Sequence, residues 1–167
     1  MTLGLSIENF TTLHVAISLI AIASGIIVFV GMLRALRLPQ WTAWFLATTV
    51  LTSVTGFMFP INGMTPAIAV GLISIVILAI ALAALYLKHL DGRWRSIYVT
   101  TALAALYFNV FVLIVQAFQK VPMLQTLAPT QSEPPFLIAQ GVALALFLVL
   151  GAIAVRKFHP VQSQPAM

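Results

Sequence analysis

Apolar residues fall into five long runs along the chain, separated by short segments that contain Pro, Gly, Asp, Lys or Arg. A helix needs about 20 predominantly apolar residues to cross a bilayer. The alternation with period two that is typical of a transmembrane β-barrel is missing. The sequence therefore predicts an all-α integral membrane protein, a five-transmembrane-helix bundle in which residues 1–167 form a single transmembrane domain. The predicted spans lie near residues 10–33, 41–59, 66–87, 96–118 and 136–155.

The composition favours the same environment. Hydrophobic residues make up 62% of the chain and charged residues only 7%, whereas a soluble domain has about 25% charged residues. A single core built from 167 residues would be too small to bury so much apolar surface. The chain has no cysteine, which excludes disulfides, thiolate metal sites and thiol catalysis.

Lys and Arg are concentrated in the segments that lie on one side of the predicted bundle. With the N-terminus outside, Lys120 is external and the other seven of the eight basic residues are cytoplasmic. Basic residues in short loops favour the cytoplasmic side, so the pattern predicts the N-terminus outside and the C-terminus cytoplasmic. The seven residues are Arg34, Arg37, Lys88, Arg93, Arg95, Arg156 and Lys157.

This topology also explains the net charge of +5. Basic residues at the ends of spans face anionic headgroups, so membrane lipids are the expected partners and nucleic acid is not. The start of the chain has no basic segment before its first apolar run, which predicts an uncleaved first span. The expected location is the bacterial inner (plasma) membrane, with multiple passes.

Residues 121–135 form the longest connection and are external in this topology. They include four prolines and no glycine, which predicts a stiff, extended segment. This Pro-rich external loop would cover the outer end of the bundle, dock a partner or act as a rigid spacer.

Polar side chains on the predicted spans lie on single faces. At about 100° per residue, Asn109, Gln116 and Gln119 share one stripe of the fourth span, and the opposite face is Val, Leu, Phe and Ile. Lipid cannot satisfy the hydrogen bonds of an amide, so the stripe is expected to face protein or water. In the first span, Ala21 and Gly25 have the small-residue spacing that permits close helix approach.

The polar groups also agree in depth across four spans. At a rise of about 1.5 Å per residue, His14 lies about 6 Å inside the outer end of its span, and Thr55 lies at a similar depth in the second span. The sequence therefore predicts one outward-facing polar vestibule, with Asn109 deeper in the membrane and with Lys120 and Glu133 near the mouth. Its predicted ligand-binding residues are His14, Thr52, Thr55, Asn109, Gln116, Gln119 and Gln140.

Each of these residues has a structural alternative. His14 would carry a proton, bind a metal or haem, or hydrogen-bond a ligand; alternatively, Thr or Gln neighbours satisfy it. Asn109 is favoured as a hydrogen-bonding tie between helices, which is a common role for amides in membranes. Gln116 and Gln119 are shallow enough to reach the headgroups instead.

The residues of catalytic and metal sites are scarce. The only acids are Glu8, Asp91 and Glu133, and the chain shows no paired carboxylates, phosphate-binding glycine loop or Ser–His–Asp set. No catalytic residue and no metal site are therefore predicted. A histidine near the outer end of a first span is similar to b-type cytochrome bundles, but the paired axial histidines of those families are missing. A quinone pocket needs only an apolar slot and one or two donors, which His14, Tyr107 and Gln116 would supply.

The sequence therefore favours a non-enzymatic protein that binds or transports a small ligand, or an accessory subunit of a larger membrane complex. Its partners would be lipids, other membrane subunits or further copies of the same chain. The alternative is a redox subunit associated with quinone or haem.

Overall fold

The computed structural model describes residues 4–59 and 66–159, and the regular structure of this part of the chain is helical. A π-helical turn, Ala83–Leu87, continues α3, and within it the Lys88 N–H donates to the carbonyl of Ala83. The α-helices are α1 (Ile7–Leu33), α2 (Pro39–Gly56), α3 (Pro66–Leu82), α4 (Arg93–Lys120), α5 (Pro122–Leu127) and α6 (Pro134–Lys157).

Four helices are long and apolar enough to cross a membrane: α1, α3 with its π-helical turn, α4 and α6. The prediction of an all-helical membrane protein is confirmed. Among the described residues, α2 is not in this group, because its 18 residues begin with Pro39 and Gln40 and include six Ser and Thr residues. The count of five spans therefore stays a prediction.

Capping groups extend the helices beyond the predicted apolar runs. The Ser6 hydroxyl accepts the Asn9 N–H at 3.2 Å, so α1 begins before its first apolar stretch. Pro39 and Pro134 stand at the first positions of α2 and α6, where proline suits a helix start. The prediction that residues 121–135 are extended is wrong in the first half of that segment, because Pro122 begins the short helix α5 in the same way.

The central helix of the bundle is α4, which contacts α1, α2, α3 and α6. Helices α1 to α4 form a ring, and α6 packs outside it against α1 and α4. Because other helices surround α4, side chains outside its polar stripe are buried as well. Val99, Leu103 and Leu106 lie off that stripe and are nevertheless buried.

Three helices approach closely around Gly25. A Cβ atom at this position would lie 2.6 Å from Cδ1 of Leu106 and 2.9 Å from the ring of Phe45. Ala21, one turn away on α1, is completely buried. The close approach predicted from the spacing of Ala21 and Gly25 is therefore confirmed, and it brings α1 against both α2 and α4.

One end of the bundle, here called the basic end, contains the end of α1, the start of α2, the end of α3, the start of α4 and the end of α6. Arg95 at the start of α4 donates from Nη1 to the carbonyls of Val155, at 3.1 Å, and Phe158. Lys88 Nζ lies 5.5 Å from the ring centroid of Trp94. The polar residues of the predicted vestibule lie towards the opposite end.

Candidate functional site

His14 on α1 and Thr55 on α2 are joined by a hydrogen bond between their side chains. His14 Nδ1 lies 2.7 Å from Thr55 Oγ1, and Thr55 Oγ1 also lies 2.7 Å from the Leu51 carbonyl oxygen. The bond orients the imidazole ring with either atom as the donor. His14 Nε2 has no hydrogen-bond partner among residues 4–59 and 66–159.

The ring of Phe59 packs against the imidazole. The Phe59 ring meets His14 edge-on with centroids 5.2 Å apart, and the buried Phe10 ring lies 4.9 Å from that of Phe59. A Cβ at Gly56 would lie 3.7 Å from His14 Cε1, which is an ordinary van der Waals contact. We call His14, Thr55, Phe10 and Phe59 the His14 cluster.

Sequence reasoning missed both rings of the His14 cluster. Phe10 precedes His14 by four residues, and Phe59 follows Thr55 by four. Side chains with this spacing share a helix face. The signal was therefore present, but Phe59 lies just beyond the end of α2, in a bend.

Thr52 differs from the other buried hydroxyls of α2. Thr48, Thr49 and Ser53 each donate to the carbonyl four residues earlier, at 2.6, 2.7 and 3.0 Å. Such bonds satisfy a hydroxyl within its own helix. Thr52 Oγ1 is buried and has no partner in the described part of the protein. It lies about 5 Å along α2 from Thr55, on the same face, and is free to bond another group.

Asn109 connects the central helix to α2. Its Nδ2 donates to Thr49 Oγ1 at 3.3 Å, and Thr49 is almost completely buried. Since the Thr49 hydroxyl donates to its own helix, its lone pair is available to the amide. The bond favours the interpretation of Asn109 as a tie between helices.

The glutamines lie around the outer half of α4. Gln140 on α6 donates to the Phe111 carbonyl at 3.2 Å, and its Oε1 is buried with no partner among the described residues. Gln119 donates to Gln131 Oε1 at 3.4 Å, and Gln131 donates to the Val115 carbonyl at 3.0 Å.

Gln131, in the connection before α6, is therefore linked to α4 through Gln119 and the Val115 carbonyl. Gln116 is half-buried on α4, and its side chain makes no hydrogen bond within the described ranges. The signal for Gln131 was absent from the sequence, because it lies in the connection rather than on a span. The predicted vestibule residues thus form two groups, the His14 cluster at α1 and α2 and the glutamines at α4 and α6. Whether one cavity encloses both groups stays a prediction.

Glu133 is the N-cap residue of α6 at the predicted mouth, and its side chain bonds the connection that precedes the helix. Its Oε1 accepts the Thr130 N–H at 3.1 Å and the Thr130 hydroxyl at 2.8 Å, and its Oε2 accepts the Ser132 N–H at 3.1 Å. Desolvation raises the pKa of Glu133, but these hydrogen bonds outweigh it and hold the pKa below its ordinary value. Lys120 is exposed in the last turn of α4.

Within the described residues, no group of three His, Asp or Glu side chains is arranged to hold a metal ion. No protein-family model, curated protein or solved structure matches this chain.

Proposed function

We propose that this chain binds a small molecule at the His14 cluster, as a ligand-binding or transport protein or as the ligand-binding subunit of a larger membrane complex. The observation that supports this proposal is the bond between His14 Nδ1 and Thr55, which orients the ring and leaves Nε2 without a partner among the described residues. An oriented nitrogen beside aromatic rings suits a ligand with one polar group and an apolar body.

The proposed topology has five spans, with the N-terminus outside and the C-terminus in the cytoplasm of a bacterial cell. α2 has 18 residues, so it is about 27 Å long, close to the hydrocarbon thickness of about 30 Å. Most of its hydroxyls donate to its own backbone, which reduces the cost of placing them in lipid. Trp41 and Trp44 are exposed at its start, where indoles favour the headgroup region.

Reporter fusions test this topology. A reporter fused after Met167 is expected to be cytoplasmic, and one inserted at the exposed Gln125 of α5 is expected to be external. The reverse pattern would place the His14 cluster at the cytoplasmic face. If both reporters lie on the same side, an even number of spans separates them and the five-span topology is wrong.

A quinol or quinone is the second candidate for the ligand. His14 Nε2 would accept a hydrogen bond from the hydroxyl of a quinol, or donate one to a quinone carbonyl when it carries a proton. The Phe59 ring beside His14 would contact the ligand's apolar part. Haem with His14 as one of two axial histidines is not supported, because His89 and His159 follow helices that end at the basic end of the bundle.

The binding test uses a short-chain ubiquinol and ubiquinone pair as probes, titrated against the purified protein in mild detergent. His14→Gln is compared with His89→Gln, which changes an exposed histidine at the basic end. Wild type and His89→Gln are expected to bind equally, and His14→Gln more than tenfold more weakly. Equal binding by all three proteins would exclude His14 from the binding of these probes.

Solvent extraction of the purified protein, followed by mass spectrometry, tests the broader proposal of a small ligand. A small molecule is expected to copurify with wild type and with His89→Gln but not with His14→Gln. The same molecule in all three extracts would mean that the His14 cluster does not hold it.

A further inference from the structure

A slot of about 460 Å³ lies between α1 and α2 near the basic end, on the side away from the bundle core. Small-molecule sites in proteins have volumes of about 300–1,000 Å³, so the slot is large enough to hold a ligand. It is separate from the His14 cluster, which lies towards the other end of the same two helices. Its lining residues are Ile20, Ala23, Ser24, Gln40, Trp41 and Trp44.

The walls of the slot are apolar and open to the surroundings. Trp44 is 61% exposed and Trp41 46% exposed, so protein covers neither indole. Ala23 leaves space on the α1 side because its side chain is small. The Ser24 hydroxyl donates to the Ile20 carbonyl at 2.6 Å, so its hydrogen is already bonded within α1 and the wall of the slot stays apolar.

The direction and depth of the slot match one membrane leaflet. Gln40 and Trp41 lie in the first turn of α2, at the basic end. Ala23 and Ile20 lie 10 and 13 residues before the last residue of α1, which is about 15–20 Å along the helix. Half of the hydrocarbon core is about 15 Å thick. The slot therefore extends from the headgroup region towards the bilayer centre, as an acyl chain does.

The shallow end of the slot lies at the basic end of the bundle. Arg34 and Arg37 are both exposed in the connection between α1 and α2, and Gln40 follows Arg37 by three residues. The segments of the basic end contain seven Lys and Arg residues and one acid, Asp91. An anionic headgroup is complementary to this charge, and guanidinium groups bind phosphate well.

We propose that the slot binds one anionic phospholipid from the leaflet at the basic end. One acyl chain lies between Ile20 and the Trp41 and Trp44 indoles, and Arg34 and Arg37 hold the phosphate. The Gln40 amide at the rim donates to the glycerol esters or the headgroup. A second copy of the chain fits less well, since two copies meeting at this face would bring their arginines together.

Tryptophan fluorescence in vesicles measures this binding. The chain has three tryptophans, so a Trp94→Phe background leaves Trp41 and Trp44 as the only indoles. The protein is reconstituted in phosphatidylcholine with increasing dibromo-phosphatidylglycerol, and in the reverse mixture with dibromo-phosphatidylcholine. Bromine quenches an indole on contact, so the two series give the relative affinity of the slot for the two lipids.

Phosphatidylglycerol is expected to bind more tightly, by about fivefold for each arginine near the phosphate. In the double variant Arg34→Gln/Arg37→Gln the two lipids are expected to bind almost equally. The matched control Arg156→Gln/Lys157→Gln removes the same number of charges from the same end and is expected to keep the preference. Equal affinities in wild type, or equal losses in both double variants, would overturn the proposal in favour of general electrostatic attraction.

Ala23→Leu tests the acyl-chain part of the site with both arginines intact. The larger side chain fills the slot, so quenching by both brominated lipids is expected to fall. Native mass spectrometry is expected to detect one retained phosphatidylglycerol in wild type and none in Ala23→Leu. Unchanged quenching and lipid retention in this variant, or a dimer with indoles that neither lipid quenches, would show that no acyl chain occupies the slot.

Discussion

The side-chain amide of Asn109 donates to the Thr49 hydroxyl and so connects the central helix α4 to α2, the most hydroxyl-rich helix of the bundle. Thr49 is satisfied as a donor by the Phe45 carbonyl. Removing the amide therefore takes away one bond between helices but leaves no buried hydroxyl proton unpaired. The bond lies on α4 between the buried Ala105 and the outer glutamines.

Asn109→Leu is expected to lower the free energy of unfolding in detergent by about 0.6–2 kcal/mol, the usual range for such bonds in membranes. Binding of the ubiquinol probe at His14 is expected to be unchanged. The control is Asn9→Leu, which makes the same chemical change at an exposed position of α1. Lost binding with unchanged stability would instead place Asn109 in the ligand site.

Gly25→Ala is expected to destabilise the bundle by about 1–3 kcal/mol, because the new methyl overpacks the contact with Leu106 and Phe45. Gly141→Ala is the control, since a Cβ at that position meets no atom within 4 Å. It should be neutral or stabilise the bundle by up to about 1 kcal/mol, because alanine favours a helix interior over glycine. Thermal unfolding in one detergent measures both, and equal effects would argue against the close packing of α1, α2 and α4.

Arg95→Gln is expected to loosen the end of α6, because it removes the charged donor to the Val155 and Phe158 carbonyls. Hydrogen bonds to charged groups contribute about 1.5–3 kcal/mol. Limited proteolysis after residue 155 should become faster in this variant. Arg93→Gln changes an exposed arginine of the same turn and should leave the cleavage rate unchanged. Faster cleavage in both variants would mean that the loss of positive charge, rather than the loss of the bonds to the Val155 and Phe158 carbonyls, loosens the end of α6.

The hydrogen bonds from Thr130 and Ser132 to the Glu133 carboxylate should depend on pH. Its pKa in the fold lies below the ordinary value of 4.5, so its stabilising effect is present above that value and is lost as the pH falls through the lowered pKa. Exchange of the Thr130 and Ser132 amide hydrogens, corrected for its intrinsic pH dependence, should therefore become faster in acid. Glu133→Gln should abolish this acceleration of exchange in acid, and Glu8→Gln should not. Acceleration that persists in Glu133→Gln would mean that another titrating group determines the exchange of the Thr130 and Ser132 amides.

The candidate site was only partly predictable from the sequence. His14 and Thr55 were expected at one depth because helix rise and the ends of the apolar runs determine depth. The choice of partners was not predictable in this way. Thr49 rather than a ligand bonds Asn109 because this pairing depends on the rotation of α2 and α4 about their own axes. Gln131 bonds α4 from a connection, whose course the periodicity of the spans does not predict.

The sequence by itself determined where the long helices lie, since an apolar run in lipid must satisfy its backbone internally and a helix does so within one segment. It also determined that helices approach closely at Gly25, because small residues one turn apart on a membrane helix permit close packing of another helix. Only the tertiary structure decided that α4 is central, and that Leu106 is completely buried whereas Val76 is 60% exposed. The reason is that lipid tails are as apolar as these side chains, so hydrophobicity does not distinguish a face that meets lipid from a face that meets another helix.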